Sequence, residues 1–243
     1  MRRRHLLSIR YSLSDLLSLC RTPLGRRQLL HGIFQRSRPL IWTLAYLYRR
    51  TLIRHVSIIV IVGSFGKTTT MRALKTVLGT RIYPTSPVNT WSYVAAALLK
   101  VRPGSPYDAI EVGIDGTGQM QKYAALIKPN IVVVTSVGSE HNRSLGSLET
   151  TRREKSRMIE TLSPAGKVYL NGDDPNVLWM KNKTRAQVIT YGFGRHNDIL
   201  ATNLKVRWPH GMQFTLKKGD KAHEIQTRLL GRHMVYPLLI AFG

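Results

Sequence analysis

Acidic residues are scarce in this chain. Its 243 residues hold 13 Asp and Glu against 37 Lys and Arg, a formal net charge of +24. No acid lies between Asp15 and Asp108. That imbalance excludes a strongly cationic partner and favours an anionic one: a phosphorylated ligand, a membrane surface or nucleic acid. Cysteine is almost missing. Cys20 stands alone, so no internal disulfide can form, and a reducing compartment, the cytoplasm, is expected. Long apolar runs are missing too. The best, Pro39 to Tyr48, is far shorter than the roughly 20 residues that span a bilayer. No repeat or low-complexity tract is present. The aromatics are not interleaved as a stacking platform and no nucleic-acid motif occurs, so nucleic acid is the weakest of the three partners.

The positive charge is unevenly spread. Residues 1–54 contain twelve Arg, no Lys and one acid, Asp15. Within them, Pro39 to Tyr48 carries Trp42, Tyr46 and Tyr48 among Leu and Ile, with Arg36, Arg38, Arg49 and Arg50 on its flanks. This pattern fits a helix lying in an anionic membrane surface. It equally fits a helix docked on the following domain with its Arg stems snorkelling. Leu6 to Leu19 is interrupted by Arg10 and Asp15 and has no cleavage site, which argues against a secretory signal.

What is present begins at Ser57. The run Ser57-Ile58-Ile59-Val60-Ile61-Val62 reads as a buried parallel strand. Gly63-Ser64-Phe65-Gly66 follows as a glycine-rich turn, and Lys67-Thr68-Thr69-Thr70 opens a helix with Met71, Leu74, Val77 and Leu78 on one face. Strand, glycine turn and helix N-terminus together form an anion cradle. Lys67 is placed to reach β- and γ-phosphates, and the Thr68 hydroxyl to help hold Mg²⁺. The gap between the glycines is two residues, where the general phosphate-loop pattern has four.

Strand and helix signals then alternate. Strands are expected at Asp108–Gly113, Asn130–Val137, Lys167–Asn171 and Gln187–Phe193. Helices are expected at Thr90–Val101, Gln119–Ile127, Leu148–Leu162 and Pro175–Lys181. The alternation predicts an α/β fold: a phosphate-loop-containing, mainly parallel sheet flanked by helices. The tail reads as a small antiparallel section, Ile199–Trp208, Met212–Lys217 and His223–Leu230, with hairpin turns at Pro209-His210-Gly211 and Lys218-Gly219-Asp220. A last helix begins near His233. Two domains result: a basic helical leader over 1–55 and an ATP-binding α/β domain over 56–243.

Two polar residues interrupt this apolar pattern. Glu111 sits in Ala109-Ile110-Glu111-Val112-Gly113, where a carboxylate is costly unless ion-paired or metal-bound. His141 follows a strand end and reads either as a loop residue or as a metal ligand. Lys155 lies in Arg152-Arg153-Glu154-Lys155-Ser156-Arg157, and its local pattern alone gives only a solvated helix charge.

Taken in order, the segments resemble the central ATP-binding domain of the Mur ligase family, most of all its D-alanyl-D-alanine-adding branch. They are Gly63 to Thr70, Glu111-Val112-Gly113, Lys128 to Thr135, Gly138-Ser139-Glu140-His141, Gly146-Ser147-Leu148-Glu149, Lys155, Leu170 to Pro175, and Leu230-Gly231-Arg232-His233. The resemblance implies an ATP-dependent, amide-forming carboxylate–amine ligase acting through an acyl phosphate. Its substrates would be a carboxylate and an amine, among them peptidoglycan precursors. It implies that Gly63, Ser64, Phe65, Gly66, Lys67, Thr68 and Thr69 bind ATP. Thr68, Glu111, His141 and a carbamoylated Lys155 would hold Mg²⁺, with Lys67, Lys155 and His141 as catalytic residues. Asn89, in Ser86-Pro87-Val88-Asn89-Thr90, falls in the family's substrate loop. The family's two adenine-side Asn positions are Met234 and Pro237 here. Its long N-terminal domain is replaced by the Arg-rich leader, and its C-terminal domain has no counterpart before Gly243. A truncated or split enzyme completed by a separate C-terminal domain is therefore expected. A non-catalytic ATP-binding module peripheral to the inner face of the membrane is the alternative.

Overall fold

The computed structural model describes residues 18–82, 91–138 and 145–243. Its centre is one eight-stranded sheet. The strands are β1 (Ser57–Val62), β2 (Tyr107–Glu111), β3 (Ile131–Val134), β4 (Lys167–Asn171), β5 (Gln187–Gly192), β6 (Ile199–Arg207), β7 (Gly211–Lys218) and β8 (Lys221–Thr227). Their order across the sheet is β2-β1-β3-β4-β5-β6-β7-β8. All pairings from β2 to β6 are parallel, and β6-β7-β8 are antiparallel. The tail strands form the expected antiparallel section and continue the same sheet. β6 joins the parallel sheet through Tyr191↔Ile199 and Gly192↔Leu200.

Alternation along β1 explains how the layers assemble. Ile58, Val60 and Val62 face one core, Ile59 and Ile61 the other. The first core is covered by α2 (Arg38–Arg50), α4 (Trp91–Leu99), α5 (Gln119–Ile127), α6 (Leu148–Glu160) and the short α7 (Pro175–Leu178). The second is covered by α3 (Lys67–Val77) and α8 (Val235–Phe242), which pack on each other. Each fully buried Ile or Leu in these layers contributes roughly 1.5–3 kcal/mol. The remaining helix, α1 (Pro23–Arg36), precedes α2.

The segment before β1 is built into the first core. Ala45, Ile53 and Val56 are buried there, with Ile41, Trp42 and Tyr48 packed against it. The Tyr48 hydroxyl donates to the Val101 carbonyl at 2.7 Å. Arg49 is 5% exposed and donates to the carbonyls of Ile53, Val56, Ile127 and Lys128 and to Asn130 Oδ1. Asn130 Oδ1 also accepts the Ile58 N–H. One guanidinium therefore ties α2, the start of β1 and the α5–β3 turn together. Of the two sequence readings of Pro39 to Tyr48, docking on the α/β body is the contact seen.

Chain order places a crevice. β1 runs on to β2 on one side and its neighbour β3 to β4 on the other, so the connections leave the carboxyl ends of these two adjacent strands in opposite directions. Ligands of open α/β sheets bind at such a point.

Candidate functional site

The loop after β1 occupies that crevice. Gly63 has φ +153°, and a Cβ there would stand 2.0 Å from Thr135 Oγ1 and 3.0 Å from the Ser136 amide nitrogen. Only glycine lets the loop pass this close to the end of β3. Gly66 has φ +82° and caps α3, a conformation that L side chains rarely adopt. The first intrahelical bond of α3 runs from the Thr70 N–H to the Gly66 carbonyl at 2.9 Å. Amides before it have no partner within the helix, and the positive end of the helix dipole lies there.

The loop interlocks with the segment after β3. The Ser64 N–H donates to the Ser136 carbonyl at 2.8 Å, and the Phe65 N–H to Ser136 Oγ at 2.8 Å. Thr135 Oγ1 donates to the Phe65 carbonyl at 2.6 Å. The Ser64 hydroxyl donates to the Gly138 carbonyl at 3.1 Å and accepts the Gly138 N–H at 2.8 Å. Phe65 is 61% exposed, with its ring edge against Gly138.

Three charged side chains converge on this frame. Lys67 is 7% exposed and donates to the Ser64 carbonyl at 2.9 Å, which folds its amine back over the loop. Glu111, at the end of β2, accepts the Thr68 hydroxyl at 2.7 Å. Lys155 of α6, only 2% exposed, donates to Ser64 Oγ at 2.9 Å. The sequence places Lys155 ninety-one residues from Ser64, so its helix spacing could not reveal the contact. Thr69 lies half-buried in the first turn of α3. His141 and Asn89 lie outside the described residues. Among the described residues no group of three or more His, Cys, Asp or Glu side chains gathers to hold a metal. The Thr68 hydroxyl and the Glu111 carboxylate are nevertheless adjacent hard oxygen donors, and such donors suit Mg²⁺.

A second polar centre, unmarked by local sequence pattern, lies after β4. Asp173 accepts the Phe193 N–H at 2.6 Å, the Gly194 N–H at 2.9 Å, the Asn197 amide at 3.0 Å and the Tyr236 hydroxyl at 3.0 Å. Burial pushes its carboxyl up, but these four donors outweigh burial and hold it below the ordinary carboxylate range. Burial and the neighbouring Asp173 push the Tyr236 hydroxyl up to about 12. Asp174 caps α7 and also accepts the Val137 N–H at 2.8 Å. The β4 loop is thereby joined to the phosphate-side loop. Pro237, at one of the two positions named above, is buried inside α8, and Met234 ends the preceding 3₁₀ turn.

Sheet, crevice and glycine loop define a phosphate-loop α/β module. Its family follows from comparison with known proteins. The sequence pattern of the Mur ligase middle domain matches residues 61–243, and the chain belongs to the Mur ligase family. It is 29% identical over 189 residues to the UDP-N-acetylmuramoyl-tripeptide–D-alanyl-D-alanine ligase of Bacillus subtilis, covering 76% of this chain and 40% of that protein. It is 26% identical to the Escherichia coli enzyme of the same name, over 76% of this chain and 42% of that one. The chain thus spans about two-fifths of the length of these relatives. Among solved structures, MurF from Acinetobacter baumannii superposes with a TM-score of 0.75 at 22% identity, covering 84% of this chain and 45% of that one. MurF ligase from Thermotoga maritima in complex with ADP superposes at 0.69 with 20% identity, over 83% of this chain and 48% of that one. These likenesses share the fold described above.

Proposed function

We propose that this chain is the ATP-binding module of a cytoplasmic Mur-type ligase, which joins a carboxylate to an amine through an acyl phosphate. The relatives' names point to peptidoglycan precursors as substrates, with a UDP-muramoyl peptide as carboxylate and D-alanyl-D-alanine as amine. The observation that carries this reading is the convergence of Lys67, the Thr68–Glu111 pair and buried Lys155 at the carboxyl end of β1.

Each residue has a role in this reading. The loop backbone and the N-terminus of α3 would bind the ATP phosphates, and the Lys67 amine would reach the β- and γ-phosphates. Thr68 and Glu111 would hold Mg²⁺, with His141 and a carbamoylated Lys155 as further ligands, and the ion would supply charge neutralisation at the phosphate oxygens. Carbamoylation converts the Lys155 amine into an anionic oxygen donor. Ser64, bonded to Lys155, orients that side chain toward the loop. Asn89 touches the substrate. The amine would arrive on the C-terminal domain of such a ligase.

The test is Mg²⁺-dependent ADP release by the full chain. It is mixed with a family C-terminal domain and panels of carboxylates and amines. ADP is expected only when both substrates are present, and Lys67→Ala and Lys155→Ala abolish it. In ¹³C-bicarbonate the wild type gains a carbamate signal that Lys155→Ala lacks. ATP binding without ADP release from any combination would overturn the ligase reading. It would leave the non-catalytic nucleotide-binding module that buried Pro237, which offers no hydrogen-bond donor, favours.

A further inference from the structure

Helix α2 docks through one stripe only. Ile41, Trp42, Ala45, Tyr48 and Arg49 turn inward. Leu40, Leu44 and Leu47, spaced i, i+4 and i+7, form a different stripe. They are 62%, 48% and 52% exposed, and Leu52 just beyond the helix is 63% exposed. Docking on the α/β body therefore leaves these leucines unexplained.

Every charged residue of α1, α2 and the turn before β1 is an Arg. Arg26 in α1 and Arg36 at its end, Arg38 at the start of α2 and Arg54 after it are all exposed. Residues 16–107 contain no Asp or Glu, and residues 1–17 hold four Arg against Asp15. A second copy of this chain would bring the same cations to the same face, and like charges in one interface repel. A partner that matches the whole pattern has a dense anionic surface over an apolar layer.

We propose that the outward stripe of α2 is a contact for an anionic lipid bilayer. Leu40, Leu44 and Leu47 enter the headgroup–acyl boundary, and the flanking Arg side chains meet lipid phosphates. The stripe runs about 10 Å along the helix, at roughly 1.5 Å per residue, which suits a helix lying in the surface plane. Exposed Tyr46, with the Arg50 guanidinium 3.4 Å from its ring centroid, supplies an amphipathic ring at that depth. No helix among the described residues is long and apolar enough to cross the membrane. The contact is independent of the ATP chemistry.

Net charge alone draws a basic protein to anionic vesicles, so the test keeps charge constant. The full chain is sedimented at physiological salt with vesicles of phosphatidylglycerol and phosphatidylcholine, and with phosphatidylcholine alone. Partition into the anionic vesicles only is expected. Leu40→Gln/Leu44→Gln/Leu47→Gln lowers it about tenfold or more. A control, Val206→Gln/Leu229→Gln, removes exposed apolar groups elsewhere and leaves it unchanged. Thermal unfolding like that of the wild type establishes that each variant is folded, and Leu44→Gln alone gives a smaller loss. Equal partition of triple variant and wild type would overturn the proposal. So would equal binding to phosphatidylcholine alone, or leucine-dependent dimerisation without vesicle binding.

Discussion

At the residue scale, Gly63 fixes the geometry of the phosphate loop. Gly63→Ala forces a Cβ into Thr135 Oγ1 at 2.0 Å, so either the loop or the end of β3 must move. We expect a loss of about 1–3 kcal/mol in urea unfolding and a larger fractional loss of ATP affinity. Asp173 sets a pH dependence. Its folded carboxyl lies below the ordinary value, so its stabilisation is present above about pH 4 and is lost as pH falls through the folded pKa. Tyr236 acts at the other end. Its hydroxyl is raised to about 12, so its contribution holds below about pH 10 and is lost as pH rises toward 12. Melting temperature against pH should therefore fall less steeply below pH 4 in Asp173→Asn than in the wild type. Lys67 and Glu111 were legible in the sequence because their signals are local: a glycine turn before a helix, and an acid inside an apolar strand. Lys155 needed the family resemblance. Asp173 lies in a segment of that resemblance but marks no role in the sequence, since its four donors come from the β5–β6 loop and the distant α8.

At the scale of elements, periodicity located the strands and helices because each buries an alternating or 3.6-residue face. It could not show how distant elements pair. The continuity of β5 with β6 rests on two register pairs that no local pattern announces. The docking of α2 rests on Arg49, whose partners are mostly backbone carbonyls and so have no side-chain signature. Arg49→Met would leave those carbonyls buried without their donor. A loss of about 2–5 kcal/mol is expected in chemical denaturation. Arg49→Lys should recover little of it, because an ammonium cannot reproduce the planar fork. If Arg49→Met were neutral, α2 would be a detachable leader.

At the scale of the molecule, one sheet carries two features at opposite ends of the chain's logic. Its carboxyl edge gathers the glycine loop after β1, the Glu111 carboxylate at the end of β2 and the buried Lys155 of α6. One of its helical layers includes α2, which exposes a basic and apolar stripe to the outside. Residues 1–54, twelve Arg against Asp15, carry +11 of the net charge of +24. The crevice at the end of β1 is expected to bind MgATP through Lys67 and the Thr68–Glu111 pair. Calorimetric titration of the full chain with ATP, with and without Mg²⁺, tests it most directly. The account predicts Mg²⁺-enhanced binding to the wild type, lost about a hundredfold in Lys67→Ala. In Glu111→Gln the binding should persist but no longer respond to Mg²⁺. Equal ATP affinity in wild type and Lys67→Ala would contradict it.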